Sequence, residues 1–357
     1  MINRDLIRTK VVQLVYAYYQ NGTNNVNAAE KELFISIDKA YAMYHIMLDL
    51  IRALTDEAGR RLNIERASAM RKGIEPPSER FVMNRFALQL AENVQLQDFM
   101  ANQQLQWRDV PEVVAALLDK IQQSTIYSDY MSSDIDSYDA DRELWRRLYR
   151  ALMEDNDDLD QLFEEQSLYW NDDKEVVDTF VLKTIKRFDQ RNGAQQELLP
   201  QYDSEEDREY ARRLLRAAIL NAEDYQRQMT EASRNWDFSR LAYMDIIIMQ
   251  IALAEMMTFP SIPLTVTINE YVDLAKLYST SQSGRYVNGM LDAIARHLVA
   301  GGRLMKQLPE RQQRQARPQR PPKARPAEAQ QPAEAQQTGT QAAHTQNDDN
   351  NTTNNSQ

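Results

Sequence analysis

Two arginines at the start of the first predicted helix have the spacing of a phosphate site. Arg4 and Arg8 are four residues apart, so on a helix they share one face. They continue the line of Val11 and Val15, and we expect both side chains to stand clear of the core at the amino end. Two guanidiniums beside a helix amino terminus could bind a phosphate together. A solubilising helix end accounts for the same spacing.

A second group of basic and aromatic residues lies near residue 280. Lys276, Tyr278 and Arg285 flank a Ser/Thr-rich turn at residues 279–283. Hydroxyls, bases and aromatic rings in this combination suit single-stranded RNA, whose splayed bases stack on aromatic faces. Tyrosines at helical spacing are also typical of a helical core. On the residues alone, both interpretations remain open.

The sequence offers little that could support catalysis. It has no cysteine, which excludes a thiolate zinc site and a cysteine nucleophile. His45 and His297 fall in helical patterns, and no nucleotide-binding or nucleophile motif is present. We therefore predict a protein that is not an enzyme and has no catalytic residues and no cofactor.

An acidic run at residues 134–143 invites comparison with a calcium loop. It lacks the loop glycine, and Tyr138 stands where an oxygen ligand is expected. We predict no metal site there, but a solvated acidic loop or an acidic surface for a basic partner.

Charge is distributed unevenly along the 357 residues, whose net charge is −11. Residues 129–178 contain 17 acidic and five basic residues, whereas residues 303–325 contain eight basic residues and one acid. The basic segment could add salt-dependent affinity for RNA or could serve solubility. Overall acidity does not exclude RNA, because binding follows local patches.

Hydropathy indicates a protein without a membrane span. The longest strongly apolar stretch, residues 246–254, is well short of the about 20 residues that cross a bilayer. The first residues lead into no apolar signal region. We therefore expect a cytoplasmic protein with no membrane partner.

Apolar residues recur at helical spacing over the first 300 residues, and strand-like alternation is absent. The fold class is therefore predicted to be all-α. The patterns predict helices at residues 4–20, 28–62, 81–106, 110–123, 142–152, 175–191, 204–235, 237–257 and 283–298. Thr267 and Glu270 fit a capping box at the start of one more helix. Gly289 is expected to allow a close helix approach.

Four short segments near the carboxyl end carry a more specific pattern: Ile262-Pro263, Thr267-Ile-Asn-Glu270, Val272-Asp-Leu-Ala-Lys276 and Tyr286-Val-Asn-Gly-Met-Leu-Asp292. This pattern resembles the signature of the NusB family of transcription antitermination factors. Trp236 and Ile251-Ala-Leu-Ala-Glu255 fit the preceding helix pair of that family, and Val12-Gln13 and Tyr16 fit its first helix. The resemblance covers residues 204–298 and, less strongly, residues 1–62.

The resemblance implies an all-α fold of two small helical subdomains without enzymatic activity. NusB proteins bind the boxA element of nascent ribosomal RNA together with NusE, a ribosomal protein of the small subunit, and help RNA polymerase resist termination. On this basis residues 1–62 are NusB-like amino-terminal helices and residues 204–300 the carboxyl-terminal subdomain. Residues 63–203, which we call the insertion, form an acidic helical addition. Residues 301–357, rich in Gln, Pro, Asn and Arg, are expected to be a disordered tail.

By position, the RNA side of the family falls on Arg4, Arg8, Tyr278 and Arg285, and we add the neighbouring Lys276. Two further basic positions of many relatives are Asp5 and Leu6 here, which leaves fewer phosphate contacts at the amino end.

Tyr16 and Asp245 match family positions that face NusE. The acidic insertion is open to several interpretations: it could mimic RNA on a basic partner, dock on a basic ribosomal or polymerase surface, or merely enlarge the scaffold. A competing hypothesis is therefore a helical protein–protein adaptor that uses its acidic insertion and does not bind RNA.

Overall fold

A computed structural model describes residues 1–22, 24–154, 156–170, 172–232 and 241–308. Its α-helices are α1 Arg4–Gln20, α2 Val26–Lys72, α3 Arg85–Ala91, α4 Val94–Met100, α5 Pro111–Gln123, α6 Thr125–Ser132, α7 Tyr138–Leu152, α8 Asp157–Gln166, α9 Lys174–Arg187, α10 Glu205–Leu220, α11 Ala222–Ala232, α12 Tyr243–Thr258, α13 Leu264–Tyr278 and α14 Ser283–Ala300. These ranges contain no strand, only an isolated bridge between Ile2 and Tyr202. The all-α prediction is confirmed.

Helix boundaries agree with the sequence where a cap residue marks them. Helix α1 has the predicted bounds, and the side chain of Asn3 caps it by accepting from the Leu6 amide at 2.9 Å. Helix α2 continues beyond its predicted end to Lys72 and stops at Gly73, whose φ of 66° is the left-handed conformation that suits glycine.

Two predicted helical segments are each divided in the structure, and helices α6 and α8 were not predicted. Residues 81–106 form two helices, because Asn93 caps α4 by accepting from the Leu96 amide at 3.0 Å. Residues 204–235 likewise divide at Asn221 into α10 and α11. Helix α8 was not predicted; Asn156 caps it, and acidic residues fill its first turn, where they favour the helix dipole.

The predicted capping box at Thr267 and Glu270 is wrong. Helix α13 begins one turn earlier, at Leu264, directly after Pro263. Proline suits this N-cap position, because a residue before the first helical turn does not donate an N–H to a helical hydrogen bond. Thr267 is buried inside the helix, and its hydroxyl is used elsewhere.

Helix α2 is the longest element, with 47 residues and therefore a length of about 70 Å. Near its start, Glu30 pairs with Arg212 of α10 at 3.0 Å. At its middle, Tyr44 shares a 2.7 Å hydrogen bond with Thr184 of α9. Towards its end, Arg61 pairs with Asp119 of α5. One continuous helix thus contributes to both the NusB-like helices and the insertion.

The insertion packs directly on α1 through a buried ion pair. Lys10 Nζ lies 2.6 Å from the carboxylate of Asp173, and both side chains are excluded from solvent. Lys10 also donates to the carbonyl of Tyr169 at 3.0 Å. Burial, opposed by the Lys10 charge, raises the pKa of the Asp173 carboxyl to about 6. The pair is therefore held at the cost of desolvation and depends on both partners.

Some predictions concern residues beyond this description. Only residues 301–308 of the predicted tail are covered, and Leu304 among them is buried. The rest of the tail and Trp236 lie outside the described residues. Over the covered ranges, no helix has the length and apolar character needed to cross a bilayer.

Replacing Lys10 with Met should lower the free energy of unfolding by about 3–5 kcal/mol, because it leaves a buried carboxylate without its cation. The double variant Lys10→Met/Asp173→Leu should recover much of this loss, since it removes both buried charges. Urea denaturation followed by circular dichroism measures both values. Lys31→Met, at an exposed position of α2, is the matched control and should change stability by less than about 0.5 kcal/mol. Equal losses in the single and double variants would contradict the pairing.

Candidate nucleic-acid interface

A buried carboxylate organises the helices around the predicted site. Glu255 of α12 accepts from Arg8 Nε at 2.8 Å and Arg8 Nη2 at 3.3 Å. The hydroxyl of Thr267 donates to it at 2.7 Å and that of Tyr271 at 3.3 Å, and the hydroxyl of Tyr210 also donates. We call these five residues the Glu255 network. It joins α1, α10, α12 and α13 through one charge.

Arg8 is therefore a core residue. It is only 3% exposed, so the expectation that it stands clear of the core is wrong. Burial alone lowers the pKa of the Arg8 guanidinium, but the hydrogen bonds and charge of Glu255 outweigh burial and raise it above its usual range. Burial, followed by the Glu255 charge, likewise raises the pKa values of Tyr210 and Tyr271. The two phenols thus stay neutral and donate to the carboxylate.

Arg4 is the accessible base at the amino end of α1. Its side chain is 40% exposed, and its Nε lies 3.1 Å from Asp207 Oδ1 of α10. Its guanidinium also lies 5.1 Å from the centroid of the Tyr210 ring. Of the neighbouring positions, Leu6 is buried and Asp5 is an exposed acid that pairs with Arg8 at 3.0 Å. Arg4 alone could offer a partly free cation here.

The turn between α13 and α14 brings Lys276 and Arg285 to the surface. Lys276 is 61% exposed and pairs with Asp273 one helical turn earlier at 2.5 Å. Its aliphatic stem packs on Gly284, where an added Cβ would lie 2.7 Å from Lys276 Cγ. The close approach predicted at Gly289 therefore occurs at Gly284, since nothing lies within 4 Å of a Cβ at Gly289. Arg285 is exposed and pairs with no residue in the described part of the chain.

Asp245 stabilises the turn between α13 and α14 from the protein interior. It is 4% exposed, and its Oδ2 accepts from the Ser283 hydroxyl at 2.9 Å. The Ser283 oxygen in turn accepts from the Thr280 amide at 3.1 Å. Asp245 thus links the start of α12 to the segment that carries Arg285.

The two residues matched to the NusE side differ in accessibility. Tyr16 is 37% exposed, and its ring centroid lies 6.0 Å from that of the exposed Tyr243. Asp245, by contrast, faces the interior as described above. An exposed aromatic pair of this kind is typical of protein contacts.

Tyr278 is half-buried between α1 and the insertion. Its hydroxyl accepts from Gln13 Nε2 at 3.1 Å and donates to Asp172 Oδ2 at 3.4 Å. Gln13 Nε2 also donates to the same carboxylate oxygen at 2.8 Å. Burial, followed by the charge of Asp172, raises the pKa of the Tyr278 hydroxyl. Sequence reasoning missed Gln13 and Asp172 here, because the two residues are 159 positions apart.

The acidic run at residues 134–143 is used in ion pairs within the insertion. Arg85 lies 2.6 Å from buried Asp141 and 2.5 Å from Asp136. The Tyr130 hydroxyl donates to Asp141 at 2.7 Å. Throughout the described ranges, no group of three or more His, Asp or Glu side chains is placed to hold a metal ion.

Part of the chain is similar in sequence to known proteins of one family. The transcription antitermination protein NusB of Acetivibrio thermocellus is 37% identical over 124 residues, which are 34% of this chain and 86% of that protein. The chain belongs to the NusB family. The family model itself, NusB, matches residues 179–296. NusB similarity thus includes the α13–α14 turn and extends into the insertion, beyond the boundary predicted at residue 203.

Two other proteins named transcription antitermination protein NusB show how far the similarity reaches. That of Geotalea daltonii is 34% identical over 133 residues, 37% of this chain and 89% of the relative. That of Chloroherpeton thalassium is 35% identical over 112 residues, 30% of this chain and only 53% of the relative. No solved structure matches the chain. The NusB similarity therefore accounts for little more than a third of the sequence.

Replacing Arg8 with Met should cost about 3–5 kcal/mol of unfolding free energy, because Glu255 then remains buried without a cation. Arg4→Met removes the same charge from a partly exposed pair and should cost about 1 kcal/mol or less. Thermal and urea denaturation of the two variants gives the comparison. Similar losses in both would show that Glu255 does not depend on Arg8.

Proposed function

We propose that this protein is a transcription antitermination factor that binds boxA-type nascent ribosomal RNA together with NusE and helps RNA polymerase resist termination. It acts by binding in the cytoplasm and needs no catalytic residue. The proposal is supported by membership of the NusB family, whose matched relatives carry the name transcription antitermination protein. The observation that carries it is the exposed Arg285, which directly follows Gly284, the residue on which the stem of Lys276 packs.

Each residue of this surface has a distinct role in the proposal. Arg285 is the principal phosphate contact, since its guanidinium has no partner among the described residues and phosphate accepts two of its hydrogen bonds. Lys276 adds a compact positive charge, and Tyr278 offers an aromatic edge to a base and a hydroxyl donor to the RNA backbone. Arg4 extends the surface along α1. Arg8 belongs to the proposal as a positioning residue that acts through Glu255.

NusE is proposed to bind next to this surface and to complete it. Tyr16 with Tyr243 provides an exposed aromatic contact, and Asp245 supports the turn that carries Arg285. Few phosphate contacts come from this chain alone, so its own affinity for RNA should be weak. A protein partner that binds the same RNA raises affinity by linkage, because the second contact becomes intramolecular.

One observation favours a second function, a protein–protein adaptor without RNA binding. Most polar groups of the surface already face an acid: Arg4 faces Asp207 at 3.1 Å and Lys276 faces Asp273 at 2.5 Å. Helix α8 adds exposed acidic side chains at Asp157, Glu164 and Glu165, of the kind that suits a basic partner such as NusE. In this alternative the family fold is retained as a scaffold.

Arg285→Ala should weaken binding of a boxA-type RNA and reduce the slope of log affinity against log salt by about 1, because one phosphate contact is lost. Fluorescence anisotropy titrations with and without NusE, at two salt concentrations, measure both quantities. Arg108→Ala, at an exposed position of the insertion, is the matched control and should leave the slope unchanged. An unchanged slope for Arg285→Ala would remove this residue from the RNA surface.

The same titrations separate the two functions. If folded protein binds no RNA in either condition but binds NusE alone, the adaptor function is favoured. Neutralising Asp157, Glu164 and Glu165 should then weaken NusE binding and make the remaining affinity less dependent on salt. If these changes leave NusE binding intact, the acidic helix is not the contact.

A further inference from the structure

A short segment of the insertion lies against the surface assigned to RNA. We call it the acidic strap; its described residues are Tyr169, Trp170, Asp172 and Asp173. It connects α8 to α9 and contacts α1, α2 and the end of α13. The acidic strap precedes residues 179–296, which the NusB family model matches. It therefore lies outside the matched part of the chain.

The acidic strap is fixed on both sides of Asp172. On one side, the buried indole of Trp170 donates to the Lys39 carbonyl of α2 at 2.7 Å. On the other side, the carboxylate of Asp173 forms the buried 2.6 Å pair with Lys10 of α1. Because Trp170 before it and Asp173 after it are anchored, Asp172 is held close to one place on the surface.

The Asp172 side chain lies at the hydroxyl of Tyr278, a residue of the predicted RNA surface. The exposed Asp172 carboxylate accepts from Gln13 Nε2 at 2.8 Å and from the Tyr278 hydroxyl at 3.4 Å through the same oxygen. A carboxylate and a phosphate present similar anionic oxygen acceptors to such donors. Asp172 thus occupies donors that an RNA phosphate would use, and places a negative charge beside them.

We propose that Asp172 is an intramolecular competitor of RNA at this surface. The inference rests on the proposed function and adds its regulation: RNA gains Tyr278 and Gln13 only by displacing a tethered anion. Tethering gives Asp172 a high effective concentration, so weakly held RNA does not displace it. RNA that is also held by a second protein does, and the contact therefore selects for the assembled complex over free RNA.

Asp172→Asn tests the charge in the full-length protein without changing side-chain size. Anisotropy titration with a boxA-type RNA at low salt should give about fivefold tighter binding than the unaltered protein, and a smaller gain at high salt. Asp172→Ser, which also frees both donors, should bind at least as tightly as Asp172→Asn. Asp172→Glu keeps the charge and should keep the weaker binding.

Asp134→Asn is the control for overall charge. Asp134 is an exposed acid of the insertion, and its neighbours Ser133 and Ile135 contact Arg80 through their carbonyls, away from α1. Its neutralisation should leave RNA affinity unchanged. Melting curves of every variant, taken first, show that the compared proteins are folded.

The outcomes separate this inference from the proposed function. If the Asp172 variants, Asp134→Asn and the unaltered protein all bind RNA equally, competition by Asp172 is overturned and RNA binding stands. If Asp134→Asn gains as much as Asp172→Asn, the effect is one of net charge and the local competition is overturned. If no folded variant binds RNA with or without NusE, the proposed function fails, and the inference with it.

Discussion

One buried carboxylate determines how the helices of this protein meet. Glu255 lies in the core and receives hydrogen bonds from a guanidinium and three hydroxyls, contributed by α1, α10 and α13. A charge in such surroundings is tolerated only when its acceptor positions are filled, since a partly satisfied buried network is strongly unfavourable. The hydrogen bonds to Glu255 therefore help to determine how these helices are placed relative to one another, in addition to apolar packing. Gln13 meets Tyr278 because α1 and α13 are fixed through this group.

The helices that the sequence predicted well are those with a clear apolar period and a recognisable cap. Helices α1 and α14 begin where expected, because Asn3 and the Ser/Thr-rich turn mark their starts. Helix α8 was missed because it is short, half of its ten residues are acidic and only three are apolar. The capping-box pattern at Thr267 misled because a threonine hydroxyl serves equally well as a donor to a buried acid. Local sequence cannot distinguish these two uses.

The site residues that could be predicted are close together in the sequence, whereas the contacts that could not be predicted join residues far apart in it. Lys276, Tyr278 and Arg285 are near in sequence, and the resemblance to a family together with one tight turn sufficed to group them. Arg8 continues the line of Val11 and Val15 past the start of the predicted buried stripe, where a charged side chain was expected to stand clear of the core. Its partner is 247 positions away, so only the tertiary structure could show that the stripe accommodates a cation. Asp172 is hidden from sequence reasoning for the same reason.

The large separation between Arg8 and Glu255 also bears on how the chain folds during synthesis. At about 5–20 residues per second, translation would take roughly 10–50 s to proceed from the first partner to the second. Until then the guanidinium has no buried carboxylate, and contacts between such distant segments form late. Asp173 emerges earlier and can receive Lys10 first. The insertion would then hold α1 through Lys10 while the later helices, including α12 with Glu255, are still being synthesised.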